Sequence, residues 1–175
     1  MRRLLTLALL ALLTPATPIS AASPDHASPD CAKIPSLPAE LSEWAARSPV
    51  TSSASEGGLT EARLDVGRGA DAALHETGDT HYVIPPEKPG EPASHGGLFT
   101  LRIPEAGTYR VALGAKAWID VVSGGKAVAS TAHGHGPECS GIRKIVDFPL
   151  SPGLYVLQLA GAAEPSIGIL VTKRP

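Results

Sequence analysis

From about residue 60 onward, apolar side chains alternate with polar ones at a period of two, broken at short intervals by Pro/Gly turns. Successive side chains of an extended chain point to opposite faces, so such alternation builds strands with one buried face. The clearest instance is Leu98 to Ile103, where Phe99, Leu101 and Ile103 share a face. The turn Pro104-Glu105-Ala106-Gly107 returns the chain as Thr108 to Leu113, with Tyr109, Val111 and Leu113 together. The unit recurs: Val146, Phe148 and Leu150, then Ser151-Pro152-Gly153, then Tyr155, Leu157 and Leu159. In each copy glycine takes the turn and the tyrosine two residues on packs over the mouth of a hairpin. Between the copies lie Trp118 to Val122, a Ser123-Gly124-Gly125 turn and Ala127 to Thr131; Ile167 to Thr172 comes last.

Strand signals also occur at Leu64 to Val66, at Ala72 to Leu74 and, more strongly, at His81 to Ile84, before a long Pro/Gly loop, Pro85 to Gly97. About eight short, evenly spaced strands predict an all-β fold, an antiparallel β-sandwich over residues 60–175, with a jelly roll as the alternative. The period is not sustained, which argues against a repeat protein.

The N-terminus carries a secretory pattern. Arg2 and Arg3 precede the apolar run Leu4 to Leu13, then Pro15, Pro18 and Ser20-Ala21-Ala22. Residues 1–22 therefore read as a Sec-type signal peptide, too short to span a bilayer, which places the protein in the periplasm or outside the cell. Its removal leaves a chain of ordinary single-domain size and takes the formal net charge of −2 two units lower. The basic residues are scattered along the sequence, which excludes nucleic acid and anionic membranes as expected partners. No further segment is apolar enough for a membrane span. The chain has no Asn and one Gln, Gln158, a bias of GC-rich bacterial genomes. Residues 23–59 read as a flexible lead-in with one short helix over 38–47, in which Leu37, Leu41, Trp44 and Ala45 share a face and Pro38 suits the first turn. Thr51 to Gly58 reads as a Ser/Gly linker.

The two cysteines, Cys31 and Cys139, form an expected disulfide in an oxidising compartment. Closing so long a loop stabilises a fold by roughly 4 to 5 kcal/mol in the chain-entropy picture. Cys139 ends the segment His133-Gly134-His135-Gly136-Pro137-Glu138-Cys139. Histidines at i and i+2 on an extended segment point the same way, roughly 6.5 to 7 Å apart, so both can reach one metal. Glu138, His95 or His81 is the available third ligand, and Cu or Zn the metal that imidazoles favour. Cupins also use His-x-His followed by Glu, but with a later Glu and a further His; no histidine follows His135. Against the metal stands a solvated glycine-rich loop.

No catalytic residues are assigned. Ser94-His95-Gly96-Gly97, Ser123-Gly124-Gly125 and Asp120 lack a nucleophile elbow or a recognised base spacing, and the glycines follow no phosphate-binding pattern. For ligand binding the residues singled out are His95, Tyr82, Trp118 and Asp120. Trp118 is out of phase with Ile119 and Val121, which turns it outward near Asp120 and Arg110; the alternative packs it under the N-terminal helix.

On the Phe99 to Leu113 unit, the Ile119-Asp120-Val121 strand and the Gly153-to-Tyr155 turn, the stretch from Gly97 to Gly161 resembles the bacterial pre-peptidase C-terminal domain and carbohydrate-binding-module-like sandwiches. The chain as a whole resembles small exported proteins of α-proteobacteria without an established role, a few of which carry the label homogentisate dioxygenase. The first resemblance implies the sandwich fold; the leading functional expectation is a non-catalytic binding or envelope-accessory module with an envelope protein or a glycan as partner and no required cofactor. The second implies a metal-dependent oxygenase. A small Cu- or Zn-binding protein using His133 and His135 is the third expectation.

Overall fold

The computed structural model describes Cys31 and residues 36–175. The signal-peptide reading of residues 1–22 and the first part of the lead-in lie outside the described residues. A 3-10 helix, Ala39–Ala45, opens the ordered path. The strands follow as β1 (Arg47–Thr51), β2 (Arg63–Leu64), β3 (Gly69–Ala73), β4 (His75–Glu76), β5 (His95–Ile103) and β6 (Gly107–Leu113). After them come β7 (Trp118–Ser123), β8 (Lys126–Ala127), β9 (Ala132–Gly134), β10 (Lys144–Leu150), β11 (Gly153–Ala162) and β12 (Ser166–Lys173).

One sheet runs β1-β3-β12-β6-β10-β9 and the other β2-β5-β11-β7-β8, with β4 added to β5. Their apolar faces enclose one core, so the predicted all-β sandwich is what forms. Two ladders, β1 on β3 and β2 on β5, are parallel, which makes both sheets mixed. The sheet starts earlier than residue 60, because β1 lies in the segment read as a lead-in. The Ser/Gly stretch after it is no linker. Ser53 exchanges backbone hydrogen bonds of 2.9 Å with Leu98 in both directions, and Ser52 and Ser53 are buried. Gly97 makes the fit possible, since a Cβ there would collide with the Ser52 side chain.

The two turn units are not hairpins. β5 ladders with β11 in one sheet, while β6 lies between β12 and β10 in the other, and β10 and β11 are likewise on opposite sheets. Residues 104–106 and 151–152 are corners that carry the chain across the core. Alternation looks the same in both cases, but a corner sets the two apolar faces against each other. Phe99, Leu101 and Ile103 on one side and Tyr109, Val111 and Leu113 on the other are all at most 2% exposed. The registers Gly153↔Ile103 and Leu150↔Gly107 put both corners side by side at one end of the sandwich. Each tyrosine then ties down its own corner, Tyr109 Oη donating to Glu105 O at 2.8 Å and Tyr155 Oη to Ser151 O at 3.0 Å. The Ser123-Gly124-Gly125 turn is a true hairpin: Ser123 pairs with Lys126, and Gly124 and Gly125 have φ of 56° and 71°, as a two-residue type I′ loop requires.

His81 to Ile84 forms no strand. Pro85 and Pro86 follow at once and remove the donors a ladder needs. The segment instead lies over the outer face of the β11 sheet, where Gln158 Nε2 donates to Ile84 O at 2.9 Å. Further along, Gly90 backs onto Gly161, both at positive φ, and a Cβ on Gly90 would meet the Gly161 backbone.

The N-terminal helix covers the outer face of the other sheet. Its three-residue turn buries Leu41 and Trp44 and rotates Ala45, expected on the same face, into solvent. Leu41 and Trp44 pack on the cross-strand row Ile145, Ala112 and Leu170, with Ile142 and Leu37 beside them. The adjacent row carries Asp147 opposite Arg110. Their side chains form a two-pronged ion pair at 2.9 and 3.0 Å, which Arg174 joins at 3.3 Å and Glu40 of the helix at 3.5 Å.

Candidate ligand-binding cleft

Because Lys144 pairs with Leu113 while Leu150 pairs with Gly107, the start of β10 lies at the end of the sandwich opposite the two corners. There the crossover Gly114-Ala115-Lys116, the segment His133-Gly134-His135 and Arg143-Lys144 line a cleft of about 690 Å³. His133 sits on β9 opposite Val146, on the exposed edge of the sheet. His135 follows β9, and its Nδ1 lies 2.8 Å from the Arg143 carbonyl, so Nδ1 carries the proton in that bond and Nε2 is left as acceptor.

The loop between His135 and Arg143 is tightly built. Ser140 Oγ donates to Pro137 O at 2.6 Å and accepts from Ile142 N at 3.1 Å, while Gly136 N reaches Ile142 O at 3.2 Å. Gly136 faces the Ile142 side chain where a Cβ would collide, and Cys139 takes a left-handed φ of 59°. Cys139 is bonded to Cys31, with the two Cα atoms 5.2 Å apart, as expected from the sequence. Trp44 Nε1 donates to Ser140 O at 2.9 Å, so helix and disulfide brace the same loop. Cys139 is therefore neither a thiolate nucleophile nor a ligand in this state.

Trp118 and Asp120 stand on the outer face of β7, as their phase implied. Asp120 Oδ1 accepts from Trp118 Nε1 at 3.0 Å and Oδ2 from the buried Gln158 Nε2 at 3.0 Å. Burial pushes the Asp120 carboxyl above its ordinary value, against the pull of those two donors. Arg110 is not near them; it is committed to Asp147 on the other sheet. Trp118 is not under the N-terminal helix either, since Trp44 fills that role. The Trp118 ring instead carries two ammonium groups, Lys88 at 5.2 Å and Lys144 at 5.6 Å from its centroid. Lys144 Nζ also donates to Ala117 O at 2.6 Å, and burial, then Lys88 and Lys116, lowers its pKa from the ordinary lysine value.

This cluster was invisible in the sequence. Basic residues that look scattered converge, because Lys88, Lys116 and the Arg143-Lys144 pair come from three separate segments meeting at one end.

The other residues singled out lie elsewhere. Tyr82 meets β5, which begins at His95, at Gly96, where the Tyr82 hydroxyl occupies the space a side chain would take. Burial raises the Tyr82 phenol above its ordinary value. Glu138 and His135 line a second recess of about 550 Å³ around the disulfide, which His133 does not line. Among the described residues no three His, Cys, Asp or Glu side chains gather as a metal-holding group. Ser94 Oγ donates to Glu91 O at 2.6 Å and lies 2.9 Å from Thr77 Oγ1, so it closes a turn. Among the described residues no helix is long and apolar enough to cross a membrane. Comparison with protein-family models and with curated proteins finds no match.

Proposed function

We propose that this chain is a non-catalytic binding module of the bacterial envelope, exported and disulfide-stabilised, with the cleft beside His133 and His135 as its ligand site. The observation that carries this reading is a concave site assembled from three segments and held rigid by the Cys31–Cys139 bond, the Trp44–Ser140 contact and the Lys144–Ala117 bond. Rigid walls with a few polar groups suit selective binding. Ser94, next to His95, is spent on closing a turn, which favours binding over hydrolysis. The test is a glycan and envelope-protein array probed with the oxidised chain and with Lys116→Glu/Arg143→Glu. A ligand lost by the folded variant supports the reading. Oxygen consumption with homogentisate by metal-loaded protein, abolished in His133→Ala, would overturn it in favour of the oxygenase.

A second reading, a Cu or Zn site, is favoured by one feature. His133 and His135 line the same cleft, and the bond from His135 Nδ1 to a backbone carbonyl is the arrangement that orients a metal-binding imidazole. Stoichiometric metal in protein purified from the periplasm, lost in His133→Ala/His135→Ala, would establish it.

A further inference from the structure

We infer that the cleft takes an anionic carbohydrate, whose carboxylate or phosphate groups are met by Lys88, Lys116, Arg143 and Lys144. This rests on the binding-module reading above and names its ligand class. None of the cleft-lining residues is acidic: they are Gly114, Ala115, Lys116, His133, Gly134, His135, Arg143 and Lys144. Lys88 extends the same positive field, since it and Lys116 both act on Lys144. Of the carboxylates beside the cluster, Asp120 accepts from Trp118 and Gln158 and offsets part of the charge on Lys144, and Glu87 lies near Asp120; neither lines the cleft. Crowding like charges in a concave site is unfavourable unless an anion relieves it, and the crowding occurs in a chain whose formal net charge is −2.

Two of the four cations, Lys88 and Lys144, are also held in place. Trp118 carries Lys88 and Lys144, the Ala117 carbonyl fixes Lys144, and the loop bearing Lys88 is pinned by Gln158 on one side and by Gly90 against Gly161 on the other. Fixed cations lose little freedom on meeting an anion.

Size and shape select a sugar. A volume of about 690 Å³ suits a ligand of several rings rather than a lone anion. Glycines at 114 and 134 and the small Ala115 leave an open floor. A bilayer would meet a flat or convex face with apolar side chains to insert. Among the described residues the exposed large apolar side chain is Leu154, on β11 and away from the cleft. Trp118, with two ammonium groups on its ring, is taken up in orienting cations and is not presented to stack a base.

Calorimetric titration of the oxidised full chain tests this with four probes: trigalacturonate, inorganic phosphate, neutral maltotriose, and vesicles containing phosphatidylglycerol. Expected is binding of trigalacturonate that weakens with salt and falls about tenfold in Lys116→Gln/Arg143→Gln, two exposed pairings at roughly fivefold or less each. The matched variant Arg63→Gln/Arg68→Gln, on the other side of the sandwich, keeps wild-type affinity and controls for net charge. Phosphate binding as tightly as trigalacturonate would overturn the sugar. Equal, salt-independent binding of maltotriose would overturn the anion while leaving the module reading intact. Binding of vesicles alone, or of no probe below about 10 mM, would overturn the inference.

Discussion

Asp147→Ala removes the most deeply buried charge in the described structure that is held by a bidentate partner. The Asp147 side chain is 3% exposed and that of Arg110 17% exposed, and the guanidinium grips both carboxylate oxygens. Deleting one partner of a buried pair leaves the other uncompensated and costs about 3 to 5 kcal/mol. Glu40, 3.5 Å from Arg110 and 18% exposed, remains as a partial partner and brings the expectation to the lower end, about 3 kcal/mol. Arg174 is 47% exposed, so its loss adds at most about 0.5 kcal/mol. The assay is urea unfolding of the oxidised protein at pH 7, read as a shift in midpoint at constant slope. A double-mutant cycle sharpens it. Asp147→Leu with Arg110→Met removes both charges and extends the adjacent apolar row, so it is expected to lose less than about 1.5 kcal/mol, giving a coupling of at least about 2 kcal/mol. A loss under about 1 kcal/mol for Asp147→Ala, or strict additivity of the single changes, would refute the claim that this pair pins the helix-covered face.

Three further expectations concern other parts of the fold. Cys139→Ala, or reduction with dithiothreitol, lowers unfolding stability by about 2 to 5 kcal/mol and speeds amide exchange at Ser140 and Ile142; unchanged exchange in that loop would contradict the bracing role of the bond. Tyr109→Phe costs about 1 kcal/mol because its ring is fully buried at the corner, and Tyr155→Phe, at a partly exposed corner, costs less; the reverse order by urea unfolding would contradict this account of the corners. The pH dependence at Asp120 follows from its raised carboxyl value. The folded state then holds the proton more tightly than the unfolded chain, so this residue's contribution is best below the unfolded value of about 4 and worsens as pH rises through the folded value. Asp120→Asn stays neutral, so its stability relative to wild type improves as pH rises through that window, and a flat or opposite trend in unfolding free energy against pH would contradict it.

The parts of the fold legible in the sequence were those written as local periodicity. Phe99, Leu101 and Ile103, Tyr109, Val111 and Leu113, and Leu157 and Leu159 face the core as their alternation required. The Gly124-Gly125 turn was equally local. Sheet membership was not legible, because a corner and a hairpin share the same alternation and differ only in which distant strands supply hydrogen bonds. β1 escaped notice for a related reason: Arg47–Thr51 is mostly exposed and carries no apolar alternation, and its place comes from a parallel ladder with the distant β3. Asp147, between the inward-facing Val146 and Phe148, faces outward as alternation requires. A helix from the N-terminal segment covers that face and converts it into a buried charge. The disulfide was readable from cysteine count alone, whereas the basic cleft joins Lys88, Lys116 and Arg143-Lys144, whose proximity no spacing rule encodes.

The most direct measurement is amide shift mapping of isotopically labelled, oxidised protein titrated with trigalacturonate at low salt. Saturable shifts confined to residue 88 and residues 114–117, 133–135 and 143–144, with the indole signal of Trp118 moving as its lysines engage the ligand, are the expected result. Shifts centred instead on the recess around Arg63 and Arg68 at the other side of the sandwich, or none at saturating ligand, would contradict a ligand site in the cleft.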